Sequence, residues 1–335
     1  MKGCPASIFR SIPEFCKVRR RFPQFFVLVL SVTVLVLLLE SLKRIVSMRT
    51  RSIQRTESGA EGSVEYKYEE SPKQECQRMM DKRNGRRIRV PASRRLSWDL
   101  LYFHRDVPLC GHDRRMNLAQ VSGGRNASVD RVSWPALFLK AYAIVAQQVP
   151  ELRQTWYRWP WAHLYQHPCS VATLTVQREM HGEPWLFWGQ IAAPELRSLS
   201  ELQRAINQFR DGDVRQVFRK QLQLAKLPTV LRRMVWWWNL NVATASRAKR
   251  LGTFFLSTLA GRGAEIQLPP SIHTGCLTFG PLDENGIARV TLAYDHRIMD
   301  GALVADILQR LEETLNGALL HELRAMQETK CSEAA

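Results

Sequence analysis

Cysteine pairing is the first thing this chain lacks. Seven cysteines are present, Cys4, Cys16, Cys76, Cys110, Cys169, Cys276 and Cys331, yet no two form a CxxC pair, and His163, His167 and His181 show no ligand-like pairing either. That scatter excludes zinc-ribbon and disulfide-framework classes, so a reducing compartment and a metal-free site are the simpler expectations, with all three histidines structural or at the surface. There is also no helix-turn-helix pattern, zinc-finger spacing or aromatic RNA-binding motif, so the formal charge of +17 has no nucleic-acid reader behind it. The charge is localised as well. Residues 1–128 hold 25 Lys+Arg against 12 Asp+Glu, which leaves only +4 for the remainder. No nucleic-acid partner is expected.

Within that basic leader one run is apolar, Phe25 to Leu39 (FFVLVLSVTVLVLLL), preceded by Lys17, Arg19, Arg20 and Arg21 and followed by Glu40, Lys43 and Arg44. Fifteen helical residues rise about 22 Å, short of the ~30 Å hydrocarbon core unless flanking side chains snorkel. A membrane anchor is the leading expectation for residues 1–48. Two other readings stay open. One is a signal or transit peptide, for which no small-residue cleavage site follows; the other is an upstream extension, with Met48 or Met79 as the start. Basic residues on both flanks leave the orientation open. Residues 49–90 are polar, rich in Glu, Ser, Lys and Arg and without an apolar period, which is linker composition. The folded domain is expected over 91–320, with 321–335 as a C-terminal tail.

Most of the chemistry is concentrated in Tyr294-Asp295-His296-Arg297-Ile298-Met299-Asp300-Gly301. Gly286 to Tyr294 is β-branched and apolar after the turn-like Asp283-Glu284-Asn285-Gly286, so it reads as a strand leaving a hairpin. Downstream, Leu303, Ile307, Leu308, Leu311 and Leu315 recur at helical spacing, predicting a helix of about four turns that closes near Asn316-Gly317. A histidine and an aspartate four residues apart, between a strand and a helix, can share one hydrogen-bond network. The aspartate would fix the imidazole's tautomer, directly or by anchoring the turn, and leave a ring nitrogen free as a base.

Elsewhere, Ser133 to Pro150 predicts a helix with Leu137, Ala141, Ile144 and Val145 on one face. Residues 169–178 and 184–191 predict two strands around Met180-His181-Gly182-Glu183, and Ser198 to Phe209 predicts a further helix. In Lys226 to Leu240 three consecutive tryptophans cannot all face one side of a regular element. Either they line a substrate pocket, with Trp237 the candidate, or rest on a membrane, or they pack as an aromatic cluster at the core or a subunit contact.

At Asp295, His296, Arg297, Asp300 and Gly301 the chain resembles the catalytic domain of the 2-oxoacid dehydrogenase acyltransferases, whose signature is DHRxxDG. Chloramphenicol acetyltransferase and the condensation domains carry related HxxxDG motifs on the same fold. Gly252 to Leu259 (GTFFLSTL) is similar to that family's GTFTISNL, with Thr258 in place of the usual Asn and Ala260 in place of the usual Gly. The resemblance spans about Arg95 to Gly317 and implies an α/β fold, a chloramphenicol acetyltransferase-like two-layer sandwich with a mixed sheet packed against helices. It implies coenzyme A as acyl carrier, no metal, and a homotrimer in which neighbouring chains contribute the histidine and the serine.

By this resemblance His296 is the general base and Ser257 the oxyanion donor, with Thr253 and Thr258 as alternative donors. Asp300 orients the loop or ring, with Arg297 as its candidate partner. Gly301 permits the tight start of the last helix, and Asp295 is structural. Residues 49–90 show no lipoyl-type hairpin, no subunit-binding helices and no Ala/Pro-rich linker, so a tethered lipoyl arm is not expected. The function expected is acyl transfer between a CoA thioester and a thiol, hydroxyl or amine acceptor. A non-catalytic trimeric scaffold or binding module on the same fold is the alternative. Because it uses CoA, the protein is expected to be cytoplasmic, or held at the cytosolic face if residues 25–39 anchor it.

Overall fold

The structure, a computed structural model, describes residues 88–127 and 131–334. The apolar run 25–39 and nearly all of the 49–90 linker lie outside the described residues. No helix among the described residues is long and apolar enough to cross a membrane.

In chain order the elements are α1 (Arg95–His104), β1 (Leu109–Asn117), α2 (Ala119–Ala127), α3 (Trp134–Gln148), β2 (Gln154–Tyr157), β3 (His163–Gln166), β4 (Val171–Met180) and β5 (Glu183–Ala192). There follow α4 (Leu199–Asp211), α5 (Arg219–Lys226), α6 (Thr229–Asn241), α7 (Thr244–Leu251), β6 (Phe254–Ser257), β7 (Gly275–Phe279), β8 (Ile287–Asp295), α8 (Gly301–Thr314) and α9 (Leu320–Ala334). Six strands form one mixed sheet in the order β1-β8-β7-β6-β4-β5, and β2 and β3 make a separate hairpin. The β4–β6 and β6–β7 pairs are parallel and the other neighbours antiparallel.

Alternation along the strands divides the sheet into two unlike faces. Phe254, Leu256, Leu277, Val290, Leu292 and Tyr294 point into the main core with α3, α4, α8 and α9. Their neighbours Thr173, Thr175, Phe255, Ser257, Cys276, Thr278, Thr291 and Ala293 turn to the other face, where Phe255, Cys276 and Ala293 meet Trp188. On that side α1 and α6 bring Leu100, Phe103 and Trp236 together with Ile272.

Local chemistry explains the expected elements. α4 opens with a capping box, Ser198 Oγ accepting from Glu201 N while the Glu201 carboxylate accepts from Ser198 N. The β4–β5 turn uses positive φ at His181 and Gly182. α3 is buried on more than the expected face, since Leu139, Tyr142 and Ala143 are covered too; α4 and α8 flank it. The last helix corrects the sequence reading. It does not stop at Asn316-Gly317 but passes through a π-helical stretch, Leu315–Leu319, into α9. The reason is apolar: Leu319, Leu320 and Leu323 are buried in the core, and the π turn re-phases the helix so that they face it. Glu322 of α9 also holds the buried Lys140 Nζ of α3 (2.7 and 2.5 Å) and accepts from Leu199 N (3.0 Å). Residues 321–328 therefore belong to the fold rather than to a tail.

Candidate active site

β8, second from the sheet edge, delivers the motif. Asp295 ends the strand with its side chain buried, and its carboxylate accepts from Arg297 N (3.1 Å), Nε (2.8 Å) and Nη2 (2.5 Å). The Arg297 guanidinium lies 4.2 Å over the Trp156 ring and donates to Asp106 O (3.3 Å). His296 N donates to Pro108 O (3.1 Å). The anchors come from the turn itself, from β2 and from the connection between α1 and β1, so the backbone carrying His296 is held while the residue itself is exposed.

The His296 imidazole lies beside the Tyr294 ring (5.6 Å between centroids, 50° between planes), and no described residue hydrogen-bonds its nitrogens. Tyr294 has a second imidazole neighbour, His112 of β1, stacked at 5.5 Å and 27°. Its phenol is buried without a hydrogen-bond partner among the described residues. Burial raises that phenol's pKa, and Cys110 and Asp300 nearby add to the effect. A Cβ on Gly301 would meet His112 Nε2 at 3.2 Å, so the glycine makes room for that ring. His112 was not singled out in the sequence. The strand that carries it, LCGHDRRMN, has one buried residue in nine and no legible alternation.

Asp300 is the N-cap of α8, its carboxylate accepting from Leu303 N at 3.2 Å. Arg297 is committed to Asp295 and not to Asp300, which differs from the partnership implied by the motif. The physical reason is proximity: two residues apart across a tight turn, Asp295 presents both oxygens to the guanidinium fork.

Ser257 ends β6, half-buried, and its Oγ accepts from Thr175 Oγ1 at 3.3 Å, leaving its own proton to donate. The two alternative donors are otherwise engaged. Thr253 Oγ1 accepts from Val171 N (2.9 Å) and donates to Val171 O (3.2 Å), while Thr258 Oγ1 donates to Phe279 O (2.9 Å) and accepts from Ala260 N (3.0 Å). Within one chain Ser257 and His296 do not converge. The register aligns Phe254, Gly275 and Tyr294 in one row and Ser257, Thr278 and Thr291 in another. His296 lies beyond the first row, about five residues or roughly 16 Å along the strands from Ser257.

On the far side of Asp295, a small pocket of about 70 Å³ is lined by Arg158, Arg247 and Arg297 as well as by Asp106, Asp295 and Trp156. Burial lowers the pKa of the Arg247 guanidinium, which donates to Ile272 O (2.7 Å) and Leu240 O (3.3 Å). In the tryptophan run Trp236 is buried and Trp237 and Trp238 are exposed, so Trp236, not the candidate Trp237, lines the large cavity beneath α6. Among the described residues no group of three or more His, Cys, Asp or Glu could hold a metal ion.

A six-stranded mixed sheet packed against helices, with an HxxxDG turn leaving β8, has the α/β architecture of acyltransferase catalytic cores, as the motif implies. Solved structures bear this out. A truncated catalytic core of the 2-oxoacid dehydrogenase multienzyme complex from Thermoplasma acidophilum aligns with a TM-score of 0.53 and 14% identity, over 70% of this chain and 99% of that one. A probable dihydrolipoamide acetyltransferase from Listeria monocytogenes 4b F2365 aligns at 0.51 and 16%, over 70% and 95%. The Azotobacter vinelandii dihydrolipoamide acetyltransferase, solved to examine a serine, a histidine and an asparagine in its catalytic mechanism, aligns at 0.51 and 16%, over 73% and 95%. No protein-family model matches the sequence. No curated protein matches it.

Proposed function

We propose that this chain is a CoA-dependent acyltransferase that moves an acyl group between a CoA thioester and a thiol, hydroxyl or amine acceptor, with His296 as general base. The observation that carries the reading is the His296 turn: an exposed imidazole with no hydrogen bond from any described residue, on a backbone fixed by Pro108 O and by the Asp295–Arg297 pair. An unengaged imidazole on an anchored backbone is free to abstract a proton from an incoming acceptor.

In this mechanism His296 takes the acceptor's proton as its heteroatom attacks the thioester carbonyl. The tetrahedral intermediate collapses to the new acyl product, and the imidazolium returns the proton to the departing CoA thiolate. No covalent enzyme intermediate is needed. Ser257 donates to the developing oxyanion, a contribution on the order of 3 kcal/mol for such a donor. Since Ser257 and His296 are far apart in one chain, the site needs Ser257 from a neighbouring copy, which a homotrimer supplies. Asp300 acts through the start of α8, which it caps, rather than on the ring. The Azotobacter protein has its asparagine four residues after its histidine, at the same step as His296 to Asp300, and asparagine is an equally good cap.

The test follows free thiol release by the purified full chain from short- and medium-chain acyl-CoAs with a panel of small acceptors. Acceptor-dependent release that falls at least a thousandfold in His296→Ala is expected. If neither protein releases thiol nor binds CoA, the enzymatic reading fails and a scaffold on this fold takes its place.

A further inference from the structure

A large cavity of about 740 Å³ lies on the sheet's less apolar face, beneath α5, α6 and α7. That is the size of a small-molecule site. Its walls are mostly hydrocarbon and aromatic, among them Phe255, Trp236, Phe218, Leu224 and Ile272. Two features show that it is more than a packing gap.

The first is a pair of unmatched donors. Trp188 and Trp236 meet edge to face at 6.0 Å and both line the cavity, yet neither buried indole N–H has an acceptor among the described residues. Trp236 is only 4% exposed. A buried donor without an acceptor is unfavourable by about 1–3 kcal/mol, so two in the same wall favour a ligand that brings an oxygen to them. Two of the other polar groups here, Gln221 and His273, are engaged. The Gln221 side chain accepts from Trp188 N (3.1 Å) and donates to Trp188 O (2.6 Å), and His273 is bonded through both ring nitrogens, to Ser271 Oγ (3.1 Å) and Leu251 O (2.7 Å).

The second feature is charge. Arg219, Lys220, Lys249 and Arg250 are exposed where they line the cavity, and no described Asp or Glu lines it. Lys249 and Arg250 close α7, where cations favour the helix dipole, but Arg219 and Lys220 are the first two residues of α5, where cations oppose it. An anion at that mouth would relieve the repulsion and use the helix N-terminus as well.

We propose that this cavity binds an amphipathic anion, a hydrocarbon chain whose carbonyl end is either a carboxylate or a CoA thioester. The chain fills the aromatic interior, a carbonyl oxygen accepts from the indoles, and the anionic end meets the four cations. A hydrocarbon suits the mostly apolar walls. The inner wall leads towards the chemistry. Phe255 and Ser257 lie on the same side of β6, and Thr175, which pairs across the ladder with Trp188, donates to Ser257 Oγ. This inference rests on the proposed acyltransferase reading and assigns its acyl group to the medium- and long-chain class.

Titration calorimetry of the purified full chain with dodecanoate, dodecanoyl-CoA, acetyl-CoA and CoA tests it. Dodecanoyl-CoA is expected to bind at least tenfold tighter than acetyl-CoA or CoA. The exposed double variant Lys220→Glu/Lys249→Glu weakens dodecanoyl-ligand binding at least tenfold at unchanged Tm, Trp188→Phe weakens it several-fold, and His296→Ala leaves it unchanged. Binding of dodecanoate as tight as that of the thioester assigns the anionic end to a carboxylate; binding of the thioester alone assigns it to CoA. Equal binding of acetyl- and dodecanoyl-CoA, or insensitivity to charge reversal, overturns the pocket and leaves the chemistry at His296 standing. Tight dodecanoyl binding without thiol release to any acceptor overturns the acyltransferase reading and leaves the pocket.

Discussion

Gly252 leads into β6 at φ +92°, and a Cβ there would stand 2.1 Å from Thr173 Oγ1 and 3.1 Å from Val171 O. Thr173 cannot easily yield, because its hydroxyl donates to Leu251 O at 2.7 Å. Gly252→Ala therefore combines a left-handed backbone with a clash at the strand that ends in Ser257, and is expected to lower stability by about 3 kcal/mol. Gly263 is the control, with φ +70° but nothing within 4 Å of a built Cβ. Gly263→Ala is expected to lose only about 1 kcal/mol. Urea midpoints of the two variants decide the matter, and equal losses would mean that the contact at Gly252 is relieved by movement. The residues flanking Gly252 give no hint of this crowding, which depends on a strand about eighty residues upstream. The same holds at the motif. His296, Asp300 and Gly301 are legible as a DHRxxDG turn, but whether Arg297 pairs with Asp295 or Asp300 depends on side-chain reach across that turn.

Asp300 works at the scale of an element, as the cap of α8. Asp300→Asn retains a good capping side chain, whereas Asp300→Ala is expected to lose about 1 kcal/mol. If Asp300 serves the chemistry by fixing where the helix starts, Asn stays within about threefold of the parent in thiol release while Ala falls further. A fall in the Asn variant as deep as that in Ala would sink the capping account and put the carboxylate's charge in the mechanism. Elements with strong periodicity were readable from the sequence: β4 and β5 around a positive-φ turn, α4 behind its capping box, β8, and α8. Those decided by partners were not. β1 is an edge strand with only Met116 buried, defined by its register on β8 rather than by its own pattern. The end of α8 was misplaced because Asn316-Gly317 is a good local stop, but Leu319, Leu320 and Leu323 gain more by continuing into the core. Three tryptophans in a row implied that one must leave the core stripe; two do, and only packing against Trp188 and Phe103 selects Trp236 as the one inside.

For the whole molecule, the distance between His296 and Ser257 is a property of sheet order, which no local pattern carries, and stability against acid is likewise a collective quantity. Two buried histidines are held neutral by the fold. Burial lowers the pKa of His273 to about 4, against the opposing hydrogen bond to Leu251 O, and Arg247 lowers it further. Burial and then Arg247 bring His167 to about 4 as well, with one nitrogen near Thr155 Oγ1 (3.3 Å) and the other without a partner among the described residues. Because the folded values lie below the unfolded one near 6.5, the unfolded chain binds protons first as pH falls. Stability from these groups is complete above about pH 6.5, is lost between 6.5 and 4, and levels off once the folded rings also protonate. For His273 alone the loss between pH 7.5 and 5 is roughly 2 kcal/mol, and His167 adds in the same direction. Carboxylates contribute mainly below that window, so urea midpoints measured from pH 7.5 to 5 isolate the imidazoles. His273→Gln, whose amide can still donate to Leu251 O, is expected to be less stable at neutral pH but to lose about one proton from the slope. A parent midpoint that stays flat across the window, or a variant with the parent's slope, would mean that His273 is not kept neutral and that water reaches the layer between α7 and the sheet.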